Sequence, residues 1–376
     1  MADSARIAFF GSSLVSAYWN GAATYYRGII RALDACGVRT TFFEPDAFDR
    51  QAHRDMEDPS WARSVVYPAT EAGVRQALEQ AHEADFVIKA SGVGVFDDLL
   101  EQEVARLASP ARAVLFWDVD APATLARLTA APDDPFHSLV PQYDAVLTYG
   151  GGERVLQAYR KLGAKHCESV YNAVDPDIHH PVGAEPRFEG LLGFLGNRLP
   201  DRDARVREFF FEPARRLPQA GFVLGGSGWE DADVPVNVRP VGHVYSRDHN
   251  AFNCSPRAVI NINRDSMAVT GHSPPTRVFE AAGAGACLLC DDWPGLEDFL
   301  EPGVEVIIVS GADDVVRELE QLEPGRAERI GAAARRRVLA AHTYTHRATQ
   351  IQAMLEGVAP GSRGFPAQGK AIGATA

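Results

Sequence analysis

Along the first half of the chain, short apolar runs alternate with longer amphipathic stretches, the pattern of parallel strands covered by helices. Candidate strands are Arg6 to Phe10, Arg39 to Glu44, Phe86 to Ala90, Ala113 to Trp117, Ala145 to Thr148 and Glu168 to Tyr171. Between the first two, Thr24 to Cys36 sets Ile29, Ile30 and Leu33 on one stripe and meets Gly37 as a C-cap, which predicts a helix. The segment Asp175 to Glu189, with Pro176, Pro181, Gly183 and Pro186, has no periodicity and reads as a connection. A second alternation follows, with strands at Leu191 to Leu195, Phe222 to Leu224, Val238 to Val241, Val259 to Ile262, Ala286 to Cys290 and Val304 to Val309. Its helices are expected at Asp203 to Arg216, Pro274 to Ala284, Ala312 to Leu322 and Arg326 to Leu355. Each half can bury its own core, so the expected fold is α/β, two Rossmann-like doubly wound domains facing a central cleft. The expected limits are 1–180 for the first domain, 181–190 for a linker, 191–345 for the second domain, and 346–376 for a terminal helix end and flexible tail.

Composition narrows the partners. At 376 residues the chain exceeds the roughly 250 to 300 that one core sustains, in agreement with two domains. A formal net charge of -13 works against nucleic acid and anionic membrane surfaces. The opening MADSARIAFFG runs straight into a strand, and no stretch nears the ~20 apolar residues of a membrane span, so a cytoplasmic protein is expected. The five cysteines, Cys36, Cys167, Cys254, Cys287 and Cys290, are odd in number and scattered, as in a reducing compartment. Cys287 and Cys290 have CxxC spacing but lie in ACLLC, which reads as a buried strand without the turn a metal site needs.

The stretch from Gly271 to Asp292, GHSPPTRVFEAAGAGACLLCDD, carries the most chemistry. Ser273 is a good N-cap and Pro274 suits a first helical position. The helix they would start offers free N–H groups near Thr276 and the positive end of its dipole, which suits a diphosphate. Ser273, Thr276 and Glu280 fall on one face at helical spacing, and a carboxylate one turn below the anion site can accept hydrogen bonds from ribose hydroxyls. The other reading makes Glu280 an exposed helix residue and Ser273 an ordinary cap. At Gly193 to Arg205, a strand ends in a Gly196, Asn197 loop followed by Arg198, Arg202 and Arg205. Arginine at the carboxyl edge of such a sheet can neutralise a departing diphosphate. Two of the three arginines are expected to pair with Asp201 and Asp203, leaving Arg202 as the phosphate ligand.

In the first half, Gly11, Ser12 and Ser13 end the first strand, and Asn20 and Gly21 precede the first helix. Such a loop allows close approach of backbone to a donor diphosphate, although no GxGxxG follows the strand. Asp118 and Asp120 in WDVDAP stand at the carboxyl end of a strand. One of them is expected to meet an acceptor hydroxyl or act as its base, with Asp118 facing the cleft; Asp120 equally suits a helix cap. Asp-x-Asp also fits a manganese site, but arginine and a helix N-terminus supply the same charge, so no metal is expected. Asp175, His179 and His180 suggest a metal site, but adjacent residues in extended chain rarely project to one ion, so none is expected there.

Six segments together resemble the GT-B-fold glycosyltransferases, and within them the CgeB-like (spore-maturation-protein-like) family: FWDVDAPATL, VYNAVDPDIHHPV, GFLGNRLPDR, GHV at 242 to 244, NINRDSMAVTGHSPPTRVFEAAGAGACLLCDD and AAHTYTHRA. The resemblance implies that Glu280 is the second glutamate of a Glu-x7-Glu signature and holds the donor ribose. The first glutamate, near the donor sugar, falls on His272, a departure at the position that reads the sugar. Arg202 falls where the superfamily has a lysine facing the diphosphate, and Asn197 where it has an arginine. Arg198 and Arg277 join the donor-binding set, Ser273, Pro274 and Thr276 match the phosphate loop, and Gly242, His243 and Val244 border the nucleobase. The implied activity is transfer from a nucleoside diphosphate sugar, UDP- or TDP-linked, to a hydroxyl acceptor, without metal or cofactor and with retention. Asp118, Asp120, His272 and Arg202 are the candidate catalytic residues. A sugar-nucleotide epimerase of the same architecture and a catalytically degenerate binding protein are the alternatives.

Overall fold

The apolar runs become two all-parallel sheets in a computed structural model that describes residues 5–18 and 20–359. The first contains β1 (Arg6–Phe10), β2 (Arg39–Asp46), β3 (Arg63–Pro68), β4 (Phe86–Ala90), β5 (Ala113–Asp118), β6 (Ala145–Thr148) and β7 (Cys167–Ser169), in the order β3-β2-β1-β4-β5-β6-β7. The second contains β8 (Leu192–Leu195), β9 (Phe222–Gly225), β10 (Val238–Gly242), β11 (Ala258–Asn261), β12 (Leu288–Asp291) and β13 (Ile307–Val309), in the order β10-β9-β8-β11-β12-β13. Helices cover the faces, so central strands such as β4, β5, β8 and β11 are buried throughout and read as continuous apolar runs. In each sheet the winding changes direction beside the first strand, between β1 and β4 and between β8 and β11. Loops leaving those carboxyl ends diverge and open a crevice, the place where doubly wound sheets bind ligands.

Strand β3 is absent from the expectations drawn on the sequence. It is an edge strand with three of its six residues exposed and only Tyr67 fully buried. The helix expected at Asp203 to Arg216 starts earlier, at Pro200, and passes through a π-turn at Arg207–Phe211 that buries Phe209, Phe210 and Phe211 in succession.

The contacts form two units, one of the described residues up to Val170 together with those from Thr345 onward, the other Tyr171–Tyr344. The chain is thus divided at Val170 rather than within 181–190. Val174 and Phe188 pack in the second core with Phe252, Val278 and Ala282, so the proline-rich connection belongs to that unit. The single helix expected at Arg326 to Leu355 is two, Pro324–Ala341 and Tyr344–Val358. The break is where Val174 donates to His342 O at 2.8 Å and Tyr344 donates back to Val174 O at 3.1 Å. Beyond it Gln350 donates to Glu168 Oε1 at 2.6 Å and Ser169 O at 3.0 Å, returning the last helix to the first unit. The tail expected from 360 onward lies outside the described residues. Among the described residues no helix is long and apolar enough to cross a membrane.

Candidate functional site

The switch point of the second sheet holds a cavity of about 300 Å³ lined by Asn197, Leu199 and Arg202 after β8, by Asn263 and Arg264 after β11, and by Pro275, Thr276 and Arg277. The last three begin the helix Thr276–Gly283. This helix starts two residues later than Ser273 and Pro274 predict, and Ser273 is not its cap. Pro275 disfavours helical backbone at Pro274 and is itself extended, at φ -68 and ψ 154. Ser273 is buried in the loop ahead of it.

Three guanidinium groups belong to the cavity wall, those of Arg202, Arg264 and Arg277. Arg264 pairs with Asp201 at 2.6 Å, and Arg277 lies 3.1 Å from Glu280. Arg202 has no ion pair among the described residues; it donates to the Asn197 carbonyl oxygen and sits 5.6 Å from the centre of the Phe194 ring, while its Nε is buried without a hydrogen-bond partner. Burial, then repulsion from Arg277 and Arg264, pushes the Arg202 pKa below the ordinary guanidinium value, although Asp201 opposes the shift. A cluster of like charges around a cavity is held in readiness for an anion.

The other two arginines of the motif are spent on the protein. Arg198 bonds Asp203 at 2.6 Å, and Arg205 bonds the buried Asp291 at 2.6 Å, tying the ends of β11 and β12 together through Asn261 and the Asn263 N–H. Arg198 does not line the cavity among the described residues. Two paired and one free matches the expectation in number, although Asp201 takes Arg264, a residue the sequence reading passed over.

Glu280 is buried rather than exposed, at 6%. Its carboxylate lies 3.1 Å from Arg277, 3.7 Å from His249 and 3.8 Å from His179. Burial raises its pKa, and Arg277, His249 and His179 more than offset that, holding the carboxyl well below the usual range. The contacts are charge contacts without hydrogen-bond alignment. Glu280 Oε2, Arg277 Nη1 and His179 Nδ1 all lack a hydrogen-bond partner among the described residues, as does Asn263 Nδ2. Buried orphans of this kind call for a ligand or water. His249 and His179 come from a helix, His249–Cys254, and from the proline-rich connection; the sequence marks His179 only as half of the His179–His180 pair and gives His249 no signal. His180 is exposed beside buried His179, so the adjacent pair does not converge on one point.

His272 has a positive φ of 42 and its Nδ1 lies 3.0 Å from Asp298. At the end of β10, Gly242 turns the chain at φ 70 and Val244 enters the core, which leaves His243 and Tyr245 exposed and edge-to-face at 4.7 Å.

In the first unit the expected site residues are occupied with one another. Ser12 donates to Asn20 Oδ1 at 2.8 Å, and Asn20 donates to Ser13 O at 2.8 Å and Ser16 O at 3.0 Å, so this pair shapes the loop after Gly11 while Gly21 stays exposed. Asp118 does not face a cleft. It is 0% exposed and accepts from Ser91 at 2.7 Å, from the Asp120 N–H at 3.0 Å, from Thr124 at 3.1 Å and from Tyr159. Burial raises its pKa despite these donors. Asp120 occupies the N-cap position of the helix Ala121–Ala130, yet its exposed carboxylate makes no capping bond.

The two sheets were compared with solved structures. Sucrose-phosphate synthase from Thermosynechococcus elongatus superposes with a TM-score of 0.67 at 14% identity, over 93% of this chain and 98% of that one. The Anabaena protein HepE in complex with UDP and glucose gives 0.63 at 14%, over 93% and 99%. AviGT4, a glycosyltransferase of avilamycin A biosynthesis, gives 0.60 at 16%, over 95% and 99%. The fold is GT-B. Residues 202–353 of this GT-B chain also match the sequence profile of a family described as glycosyl transferase-like, a span that begins at Arg202 and includes His272 and Glu280. No curated protein matches the sequence. All the groups described around the cavity lie in the second unit, so the GT-B half that carries them can be considered by itself.

Proposed function

We propose that this protein is a metal-independent, retaining glycosyltransferase of the CgeB-like kind, which binds a nucleoside diphosphate sugar in its second unit. The observation that carries the reading is the cavity at the β8/β11 switch point, where Arg202, Arg264 and Arg277 gather without enough carboxylate to neutralise them. A diphosphate supplies the missing charge. The bond from the anomeric carbon to the β-phosphate oxygen breaks, the acceptor oxygen bonds that carbon on the face the diphosphate leaves, and the acceptor proton passes to the departing phosphate oxygen. Charge growing on the leaving diphosphate is met by Arg202, a group fixed in place before the reaction starts. Glu280 takes the ribose hydroxyls, with Arg277 and His249 shifting to admit them, and the His243–Tyr245 pair borders the base. Asp120 stays exposed at the end of β5 in the first unit, its carboxylate making no capping bond. Asp118 supports the loop that carries it.

UDP and TDP are the favoured carriers, supported by the UDP-bound GT-B neighbour. The free cysteines fit a cytoplasmic setting. The test is release of nucleoside diphosphate from a panel of UDP-, TDP-, GDP- and ADP-sugars, with and without EDTA. Release from one class, unchanged by EDTA, supports the reading. A chelator-sensitive rate restored by manganese contradicts the metal-independent mechanism, and no release and no binding across the panel contradicts the function.

A further inference from the structure

The first unit holds a cavity of about 590 Å³, larger than the one at the β8/β11 switch point, at the edge of its sheet where the strands begin. Arg6, Arg39 and Arg63, the first residues of β1, β2 and β3, all line it. Strand pairing sets them on one face. Arg6 stands beside Arg39, and Arg63 beside Thr41, two residues further along β2. Register partners of a parallel pair project alike, and residues i and i+2 of a strand share a face. Farther along that face Phe10 and Phe43 stack at 4.8 Å and pack under the helix Glu71–Ala81 with Val74, Ala77 and Leu78. The helix ends at Ala81, and toward the strand starts the floor is Ala8 and Thr41, side chains too short to fill the space. Trp61, in the loop ahead of β3, completes the wall.

Three arginines in this place repel one another. Neighbouring strands lie about 4.7–4.9 Å apart, and like charges side by side on them weaken a sheet. Arg6 is offset by Asp85 at 3.3 Å. Arg39 and Arg63 form no ion pair and no side-chain hydrogen bond among the described residues, and neither do Asp34 and Glu83, the acids of the lining. Trp61 is half-buried, and no other ring stacks on it among the described residues. Two uncompensated guanidinium groups present forked donors to a phosphate, and the indole presents a face to a flat ring. The volume is that of a small-molecule site.

We propose that this cavity binds a small phosphate monoester carrying a flat ring, with Arg39 and Arg63 on the phosphate and Trp61 on the ring. The site is separate from the arginine cavity of the second unit. It also lies at the opposite edge of the first sheet from the loops of the β1/β4 switch point, so its occupant does not meet those loops.

Calorimetric titration of the full chain with 1-naphthyl phosphate tests this, with inorganic phosphate and 1-naphthol as the two halves of the ligand. The ester should saturate one site per chain with a Kd below about 1 mM, and each half should bind at least about tenfold more weakly. Arg39→Gln combined with Arg63→Gln should weaken the ester at least about tenfold at an unchanged Tm, because both side chains are exposed and a charge-assisted hydrogen bond to phosphate is worth that much. Trp61→Ala should weaken it to about the level of inorganic phosphate, and Trp61→Tyr, which keeps a ring, should stay within about threefold of wild type. Arg202→Ala, in the other unit, should leave the ester within about twofold. Absence of saturable binding, inorganic phosphate binding as tightly as the ester, an affinity untouched by the arginine pair or by Trp61→Ala, or an affinity lost in Arg202→Ala would each overturn the proposal.

Discussion

The two switch points are built on the same strand order and finished in opposite ways. At the first, Ser12 and Asn20 bond each other, and Asp118 is surrounded by four donors. Its exceptions include the Tyr26 and Tyr67 hydroxyls and Arg50 Nε, buried and without hydrogen-bond partners among the described residues. At the second, Arg202 Nε, Arg277 Nη1, Glu280 Oε2 and Asn263 Nδ2 all lack a hydrogen-bond partner among the described residues, around or beside one cavity, although Arg277 and Glu280 face each other as an ion pair. A polar group that is satisfied internally holds a loop in shape. One that is buried and unsatisfied is a cost carried for a ligand. The difference supports the proposal that the second unit binds the donor.

Substitutions can break that contrast. Arg202→Ala should have the largest effect, lowering kcat by about 10²–10³, the usual loss when one preorganised charge-stabilising donor is removed. Nucleoside diphosphate affinity should fall less, and steady-state kinetics beside calorimetric titration separates the two. Glu280→Ala should weaken nucleotide binding by about 1.5–3 kcal/mol, the worth of a charge-assisted hydrogen bond to ribose. A change in kcat alone would place Glu280 elsewhere. Asp118→Asn should destabilise the first unit by about 1–3 kcal/mol in denaturant unfolding, because a Tyr159 or Ser91 donor loses its acceptor, and the folded variant should bind nucleotide as the wild type does. Lost turnover without lost stability would return Asp118 to the reacting groups. Arg198→Ala should do least, under about 1 kcal/mol of stability and no change in binding, since its partly exposed pair with Asp203 lies outside the cavity.

Much of the architecture was legible, because buried parallel strands leave continuous apolar runs. The expectations cover twelve of the thirteen strands and miss β3; a single fully buried residue does not explain this by itself, since edge strand β10 also has only one. The division at Val170 was hidden in the packing. The proline-rich connection has no period, and its attachment depends on where Val174 and Phe188 pack, which a pattern along the chain does not record. At the site, Arg202 and Arg277 could be found from a strand-end loop and a helix start. Arg264 and His249 could not, because their relevance comes from β11 lying beside β8 and from one helix packing over Glu280. Asp118 shows the reverse limit. Its position at a strand end announced a cleft residue, and only the packing of Ser91, Thr124 and Tyr159 shows that its bonds are already used. Asp298 had no signal, being an acid at the end of a short 3-10 helix 26 residues from the histidine it meets.

The central claim is that the arginine cavity of the second unit binds a nucleoside diphosphate. Calorimetric titration of UDP, TDP, GDP, ADP and CDP into wild type, Arg202→Ala, Glu280→Ala and Asp118→Asn tests it most directly. One of these nucleotides should bind wild type and Asp118→Asn alike at one site per chain, and bind Glu280→Ala and Arg202→Ala more weakly. Binding that is absent throughout, or that survives both second-unit substitutions unchanged, would contradict the account.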